Sequence, residues 1–249
     1  MRVVGLHPDV LVATSAVYQT TCTIVRGGDE AFVIDSPVLP EELDVLPSLL
    51  QQAGFGFSGL LATHADWDHL LGRLAFGDAA LGVAETTAAR LTGAPGEAAR
   101  ELRAFDEQFY VRRGTPLSLG QVQALPVPGK LDLGPHELEL HPTEGHTEDG
   151  MAVWVEHASV LVAGDYLSPV EIPMVRDRQA YRATLERLRP LVERAEHVVP
   201  GHGDALDGAR ALAILREDLA YLDDFTLPLA RRDAEQRRID AANRERLGA

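Results

Sequence analysis

The sequence predicts an α/β fold in which two packed β-sheets are flanked by layers of helices. Each half of the 249-residue chain contains a block of short β-type runs, and segments with one apolar stripe at helical spacing lie outside each block. With 45% hydrophobic and 24% charged residues, the composition is that of a globular protein with a substantial core. No repeat or low-complexity linker divides the chain, so we expect residues 1–249 to form a single domain.

The first half begins with β-type runs and turns and continues with two helical segments. A Gly27-Gly28-Asp29 turn between two of the runs indicates a β-hairpin. We predict strands at residues 10–12, 22–25, 31–34 and 59–62. We predict helices at residues 40–53, where Gly54 is a suitable C-cap, and at 85–112, with a break at 93–96.

The second half repeats this order, with β-type runs first and helices after them. We predict strands at residues 122–127, 137–141, 152–155, 160–163 and 197–199. Apolar side chains recur at helical spacing in two later segments, at Tyr181, Leu185, Leu188 and Val192 and at Leu212, Leu215, Leu219 and Leu222. The C-terminal helices, residues 206–247, should pack outside the sheets or contact a partner. The last twenty residues are polar nearly all round, which favours a solvated or oligomer-contacting helix.

Charge and cysteine content exclude several classes of function. Asp and Glu outnumber Lys and Arg by 38 to 23, a formal charge of -15, so nucleic acids and anionic membranes would be repelled on average. No apolar run is long enough to span a bilayer, and the N-terminus lacks a secretory pattern, so we expect a cytoplasmic protein. The single cysteine, Cys22, excludes an internal disulfide and lies in a β-patterned run typical of a buried residue. We expect a small-molecule substrate and a monomer or homodimer.

One nucleotide-binding pattern occurs in the wrong context. Residues 54–59, Gly-Phe-Gly-Phe-Ser-Gly, match G-x-G-x-x-G, but the phosphate-binding form of that pattern follows a strand and opens a helix. Here the glycines leave a helix and enter a strand. A helix C-cap and a tight turn explain them, and we predict no dinucleotide site.

The segment Thr-His-Ala-Asp-Trp-Asp-His, residues 63–69, combines histidines and aspartates directly after a predicted strand. In extended chain, side chains two positions apart point the same way, so His64 and Asp66 could share one metal ion. Asp68 and His69 lie past the bend, in what we predict to be a first helical turn, and would face a second ion. The spacing therefore favours two adjacent ions.

Three later β-runs also end in a metal-capable residue beside a turn former, namely His146, Asp165 and His202. Strand ends are where a rigid sheet presents side chains to a cleft. A glycine before each histidine lets the backbone turn and direct the imidazole inward. We expect His146 to complete the first ion's ligands, His202 the second's, and Asp165 to bridge both. All seven ligands are N or O donors, which suits zinc, iron or manganese. The remaining histidines lie outside such motifs and are interpreted as structural or surface residues.

These residues resemble the metallo-β-lactamase superfamily, whose motif H-x-H-x-D-H is followed by a distant His, an Asp and a His. The resemblance covers roughly residues 10–205. It implies a four-layer αββα sandwich with a metal site along one edge of the two sheets. It does not identify a substrate, because thioesterases, lactonases, β-lactamases, nucleases and redox enzymes share this site.

The sequence departs from that motif at Asp66, which stands where the second histidine belongs. A carboxylate in place of a neutral imidazole removes one unit of positive charge from the site and makes the ions poorer Lewis acids. We expect two divalent ions, zinc first, with iron or manganese competing better than at an all-histidine site. Flavodiiron proteins carry a Glu at this position, which implies that a carboxylate there is compatible with iron. Alternatively, Asp66 hydrogen-bonds a ligand histidine without binding the ion.

The resemblance to glyoxalase II-like and lactonase-like members implies a metal-dependent hydrolase. It would use a metal-bound hydroxide on a small ester, thioester or lactone, with Asp68 holding both a metal and the proton of that water. One alternative is an iron-dependent redox enzyme, similar to persulfide dioxygenases or to the flavodiiron core. The other is a non-catalytic relative that keeps the fold and binds metal weakly.

Residues beside the proposed ligands suggest supporting roles. Asp35, at the end of a predicted strand, could orient a ligand histidine or form a turn. The long non-periodic connection 165–178 is of the kind that covers active sites, which makes Tyr166 and Glu171 candidates for substrate contact or for loop packing. We expect Trp67 to pack beside the site. Three arginines, Arg176, Arg178 and Arg182, could attract an acidic substrate, although a solvated helix face explains them equally.

Overall fold

The protein has the predicted layered architecture, with two β-sheets packed face to face and helices on both outer surfaces. The computed structural model describes residues 1–231 and 234–247. Alternate side chains of the two sheets form the central core, which includes Val10, Ile34, Leu138 and Val199. Two further apolar cores lie between each sheet and its own helices, so the order of layers is helix, sheet, sheet, helix.

In the described part of the chain, the first sheet has seven strands that follow one another in chain order. They are β1 (Arg2–His7), β2 (Val10–Thr14), β3 (Thr21–Gly27), β4 (Glu30–Asp35), β5 (Phe57–Leu61), β6 (Leu81–Ala84) and β7 (Val122–Leu125). Pairing is antiparallel from β1 to β4 and parallel from β4 to β7. The parallel strands β4 and β5 therefore end at the same edge of the sheet.

The second sheet has six strands in the spatial order β13-β12-β11-β10-β9-β8. They are β8 (Gly129–Leu133), β9 (His136–Pro142), β10 (Met151–Val155), β11 (Val160–Gly164), β12 (His197–Pro200) and β13 (Leu206–Asp207). Only β11 and β12 pair in parallel. Their carboxyl ends, which carry Asp165 and His202, consequently lie side by side.

Helices connect the parallel strands and cover the outer faces. They are α1 (Pro40–Leu43), α2 (Leu46–Ala53), α3 (Gly72–Ala75), α4 (Glu85–Gly93), α5 (Glu97–Phe109), α6 (Arg178–Arg194), α7 (Gly208–Asp223) and α8 (Ala234–Leu247). The predicted break between α4 and α5 and the left-handed C-cap at Gly54 are both present. No described helix is both long and apolar enough to cross a membrane.

Three features differ from the sequence-based expectations. The predicted helix 40–53 is two helices, because Pro47 has no N–H to bond back to the preceding turn. Strands β1, β6, β8 and β13 were not expected; β1 is largely exposed, and the two-residue β13 lies where the C-terminal helices were predicted to begin. The polar helix α8 is not simply solvated, since Gln236 and Asn243 are buried.

Main-chain hydrogen bonds join the two sheets at the edge where the candidate ligands lie. The Thr21 N–H donates to the Gly201 carbonyl at 2.8 Å, and the Met151 N–H donates to the Thr63 carbonyl at 2.7 Å. Each bond connects a residue of one sheet to a segment that carries a predicted ligand. The edge is thus fixed from both sheets at once, which favours a site with a defined geometry.

Candidate metal centre

The structure brings all seven predicted metal ligands together at the joined edge of the two sheets. His64 and Asp66 follow β5, Asp68 and His69 lie in a single 3-10 turn at Trp67–His69, and the others follow β9, β11 and β12. Each side chain is thus presented from the end of a strand, as the sequence predicts.

Three of these side chains, His64, Asp66 and His146, form what we call the first half-site. Asp66 Oδ2 lies 3.6 Å from His64 Nε2 and 3.5 Å from His146 Nε2. One atom from each residue lies within 4.8 Å of the others, which is the spacing of ligands around one ion. The geometry therefore places Asp66 as the sequence pattern suggests, facing the same point as the two imidazoles.

The second half-site consists of Asp68, His69 and His202. Asp68 Oδ2 lies 3.8 Å from His69 Nε2 and 3.6 Å from His202 Nε2. The Thr20 hydroxyl donates to the same carboxylate oxygen at 3.2 Å, which orients Asp68. Here again the three ligand atoms lie within 4.8 Å of one another.

Asp165 lies between the two half-sites and faces both. Its Oδ1 is 3.1 Å from His69 Nε2, and its Oδ2 is 3.2 Å from His146 Nε2, 3.4 Å from His202 Nε2 and 3.6 Å from His64 Nε2. Oδ2 thus lies near imidazoles of both half-sites and Oδ1 lies near His69, so the carboxylate is placed where it could bridge two ions.

Glycines make this convergence possible in two different ways. Gly145, before His146, has a φ of 115°, a backbone conformation that side chains rarely adopt. Gly201, before His202, is needed for space, because a Cβ there would overlap the Asp165 carboxylate. The sequence-based explanation, a sharp turn, holds for Gly145, whereas close packing explains Gly201.

Several polar atoms in this cluster are buried and make no hydrogen bond within the described residues. They are Nε2 of His64 and His146, both ring nitrogens of His69, and Oδ1 of Asp165. Leaving such groups unpaired is costly, and native proteins rarely do so without a ligand or an ion. Because these atoms converge, the side chains fit the divalent ions that the donor set favours.

The charges around the imidazoles shift their titration strongly. Burial works against protonation of His146 and His202, but the Asp165 carboxylate, with further carboxylates nearby, outweighs burial and raises both pKa values to about 10. The pKa of His69 is likewise well above its usual range because of Asp165, Asp68 and Asp35. An ion entering the cluster must therefore displace protons from these rings.

The second nitrogen of each ligand imidazole faces a fixed polar atom. His69 Nδ1 lies 3.1 Å from Asp35 Oδ2, and the Nδ1 atoms of the other three face Thr63 Oγ1, the Met174 carbonyl and the Tyr18 carbonyl. Such contacts orient a metal-binding imidazole. Asp35 ends β4 with a φ of 59° and also accepts hydrogen bonds from Thr63, so its contact with His69 fits the orienting role considered from the sequence.

Arg90 is a site residue that sequence reasoning missed. Its guanidinium donates to Asp66 Oδ1 at 2.7 Å and to Asp149 Oδ1 at 2.8 Å, so the two oxygens of Asp66 have different partners. Asp149 also accepts the N–H of Ala65 at 2.9 Å. Arg90 comes from α4, whose Ala- and Arg-containing sequence carries no local signal of this contact.

A sequence model of the metallo-beta-lactamase superfamily matches residues 16–202, most of the chain and all seven candidate ligands. The chain belongs to the metallo-beta-lactamase superfamily. This superfamily consists largely of metal-dependent hydrolases. Among curated proteins, the chain is 30% identical over 70 residues to the beta-lactamase-like protein 2 homolog of Caenorhabditis elegans. That alignment covers 28% of this chain and only 23% of the worm protein.

Solved structures of the metallo-beta-lactamase fold superimpose over nearly the whole chain. A metallo-beta-lactamase from Pontibacter korlensis matches with a TM-score of 0.66 and 18% identity, covering 90% of this chain and 99% of that one. A metallo-beta-lactamase family protein from Thermus thermophilus matches with a TM-score of 0.65 and 21% identity, covering 89% of this chain and 83% of that one. At such identities the likeness shows the fold and leaves activity open.

A cavity of about 220 Å³ opens beside the candidate metal centre. Its lining includes Trp67, which packs against Phe105 at 5.0 Å between ring centroids, and Glu171, whose Oε1 lies 3.8 Å from His202 Nδ1. Burial raises the pKa of Glu171 to about 7, and the nearby Asp165 and Asp68 charges add to this. Glu171 thus lies on the wall of this cavity, and its contact with a substrate stays a prediction.

Tyr166 is not placed as the sequence suggested. It is 3% exposed and lies behind the centre, where its hydroxyl accepts the His146 N–H at 3.1 Å and its ring packs on Tyr181. The loop-packing alternative therefore describes Tyr166, and a contact with substrate does not. Of the three arginines, Arg178 and Arg182 hydrogen-bond to Asp223 at the end of α7, and Arg176 is exposed.

Proposed function

We propose that the protein is a metal-dependent hydrolase that cleaves a small carboxylic ester, thioester or lactone with two divalent ions, zinc in the first place. The observation that carries this proposal is the convergence of three buried, unpaired imidazole nitrogens with the carboxylates of Asp66, Asp68 and Asp165. A bound divalent ion can lower the pKa of a water to about 7 and can polarise a carbonyl oxygen.

The chain's own residues supply the remaining requirements of such a reaction. Asp165 and the two half-sites hold the ions at fixed positions. Asp68 lines the cavity and is oriented by the Thr20 hydroxyl, so its carboxylate is positioned to accept the proton of the attacking water as well as to bind an ion. Trp67 forms part of the cavity wall and packs against Phe105 of α5.

The cavity favours a substrate without a negative charge. Ile172, Met174 and Ile239 give it apolar surface, and Glu171 adds a carboxyl group. The buried Arg231 also lines it, but its guanidinium bonds to Asp218 Oδ1 at 2.5 Å and to two main-chain carbonyls. An acyl group with an apolar chain fits this lining, because apolar side chains face it while Arg231, already paired with Asp218, is not free to bind an anion.

The test is hydrolysis by purified, zinc-loaded protein of a panel of esters, thioesters, lactones, a lactam and a phosphodiester. We expect turnover of at least one acyl substrate, reduced about 100-fold or more by His69→Ala, because even the outer partners of metal ligands contribute about 10- to 100-fold. His141→Ala, at a half-buried histidine of β9, is the matched control and should retain the parent rate. Activity that survives His69→Ala, or none on the whole panel, would overturn the proposal.

An iron-dependent redox enzyme is the second candidate, and the placement of Asp66 favours it. Asp66 Oδ2 faces the first half-site beside two imidazoles, and oxygen ligands of this kind suit iron better than an all-histidine set. Protein isolated without added metal would then contain iron and consume oxygen in the presence of a persulfide. Zinc in the isolated protein, with no oxygen uptake, would exclude this candidate.

A further inference from the structure

Arg90 connects the two chain segments that carry the first half-site. One end of its guanidinium holds Asp66, in the segment after β5, and the other holds Asp149, three residues beyond His146 in the loop before β10. The second oxygen of Asp149 accepts the Ala65 N–H, which ties the loop back to the residue before Asp66. Arg90 thereby limits how far Asp66 and His146 can move apart.

The same contact decides which oxygen of Asp66 faces the ion. Arg90 binds Oδ1 at 2.7 Å, while Oδ2 faces the imidazoles of His64 and His146. A charge-assisted hydrogen bond of this length strongly restrains a carboxylate. Asp66 can therefore present one oxygen to an ion in a fixed orientation. Without the contact to Arg90, its carboxylate would be free to rotate, because aspartate is shorter than the histidine whose place it takes.

The net charge of the first half-site also indicates a role for Arg90. An aspartate in place of the motif's histidine adds one negative charge to a cluster that already contains Asp68 and Asp165. The Arg90 side chain is only 10% exposed, so its positive charge acts at short range with little screening by solvent. It restores the unit of positive charge that the replacement removes.

We propose that Arg90 is a positioning residue of the first half-site, which fixes Asp66 as a one-oxygen metal ligand and compensates for its charge. This inference rests on the proposed metal centre. It implies that Asp66 and Arg90 act as a pair that together replaces the single histidine of the family motif. The alternative, in which Asp66 only supports a ligand histidine, predicts that Arg90→Met leaves the number of bound ions and their cobalt spectrum unchanged.

The test compares zinc affinity, by competition with a chelator, and the visible spectrum of the cobalt-loaded protein. Arg90→Met should lower the binding affinity for one of the two ions by about 10- to 100-fold and change the cobalt spectrum. The other ion should stay bound. Arg90→Lys keeps the charge but not the two-pronged geometry, so it should lie between Arg90→Met and the parent. The double variant Arg90→Met with Asp66→His should regain affinity, because a neutral imidazole needs no compensating charge.

Arg113→Met is the matched control. Arg113 pairs with Asp106 at 2.8 Å, and the two side chains are 7% and 16% exposed, close to the 10% and 19% of Arg90 and Asp66. Loss of this pair should leave both zinc affinities and the cobalt spectrum unchanged. Circular dichroism checks that each variant is folded. If Arg90→Met is unfolded, Arg90→Lys is used in its place to test the zinc affinities.

Two results would contradict the inference about Arg90 and leave the proposed metal centre intact. One is an Arg90→Met protein with the zinc affinities and cobalt spectrum of the parent. The other is a double variant as weak as Arg90→Met alone, which would mean that Arg90 acts through Asp149 and not through Asp66. A parent protein that binds no zinc would instead overturn the proposed centre itself.

Discussion

The two halves of the candidate centre reach similar geometry by different means. In the second half-site, the support comes from strands adjacent to the ligands, with Asp35 at the end of β4 facing His69 and Thr20 holding Asp68. In the first, Asp66 depends on Arg90, which arrives from a helix 24 residues further along the chain. Ligands that match the family motif are thus supported by residues at the edge of the same sheet. Asp66, which departs from the motif, is supported by a residue from a helix.

The largest effect should follow from the residue that both halves share. Asp165→Asn leaves an amide that cannot donate two anionic oxygens, so we expect zinc affinity at both half-sites to fall by about 100-fold or more. Metal content after dialysis against a chelator measures this. If only one ion were lost, Asp165 would belong to one half and would not bridge them.

A change that acts mainly on the second half comes next. Asp35→Asn removes the carboxylate that faces His69 Nδ1 at 3.1 Å, and we expect about 10- to 100-fold weaker binding of one ion. The loss at the other ion should be smaller, because Asp35 reaches His64 only through its hydrogen bonds with Thr63. Stepwise zinc titration by calorimetry resolves the two binding events. An equal loss at both half-sites would show that the two supports are not independent, and the contrast drawn between them would be wrong.

The pH dependence of metal binding tests the electrostatics of both halves. His146 and His202 have pKa values near 10 because of the surrounding carboxylates, so at neutral pH an ion must displace their protons. Affinity should therefore rise with pH, by about tenfold per unit for each proton displaced, up to about pH 10. Zinc binding in a weakly buffered solution with an indicator dye should release protons. Binding that is flat between pH 6 and pH 9 would contradict this.

The smallest effect concerns the part of the cavity wall that lies outside both half-sites, in the connection before α6. Asn243 of α8 accepts the Val175 N–H at 3.1 Å and donates to the Pro173 carbonyl at 2.7 Å, which fixes the connection that carries Glu171. Asn243→Ala should lower the free energy of unfolding by about 1–3 kcal/mol, because buried main-chain groups lose their partner. Urea denaturation measures this loss. Zinc stoichiometry should stay at the parent value, and a lost ion would mean that α8 supports the centre itself.

Most of the candidate ligands could be predicted because their signal is local. A histidine or aspartate beside a turn former at a strand end needs only the strand to be placed, and the strands before His64, Asp165 and His202 have clear apolar runs. The layered fold follows from the same runs together with the apolar stripes of α6 and α7. Tyr166 shows where this local reasoning fails. It directly follows the candidate ligand Asp165, yet its side chain is buried in the core.

The supporting residues could not be predicted, because packing of distant segments brings them in. Nothing in α4 distinguishes Arg90 from an arginine on a solvated helix face, and its partner Asp149 looks like an ordinary turn residue. The polar sequence of α8 was misleading in the same way. Its buried Gln236 and Asn243 bind main-chain groups of the 165–177 connection, so burial there leaves no apolar pattern.

The central claim is that the seven side chains hold two ions at the joined edge of the sheets. Its most direct test is the number of zinc ions per chain, by elemental analysis of the loaded and gel-filtered protein, in the parent and in a His64→Ala, His69→Ala double variant. We predict about two ions in the parent and close to none in the double variant. A parent that retains no zinc, or a double variant that retains two, would contradict it.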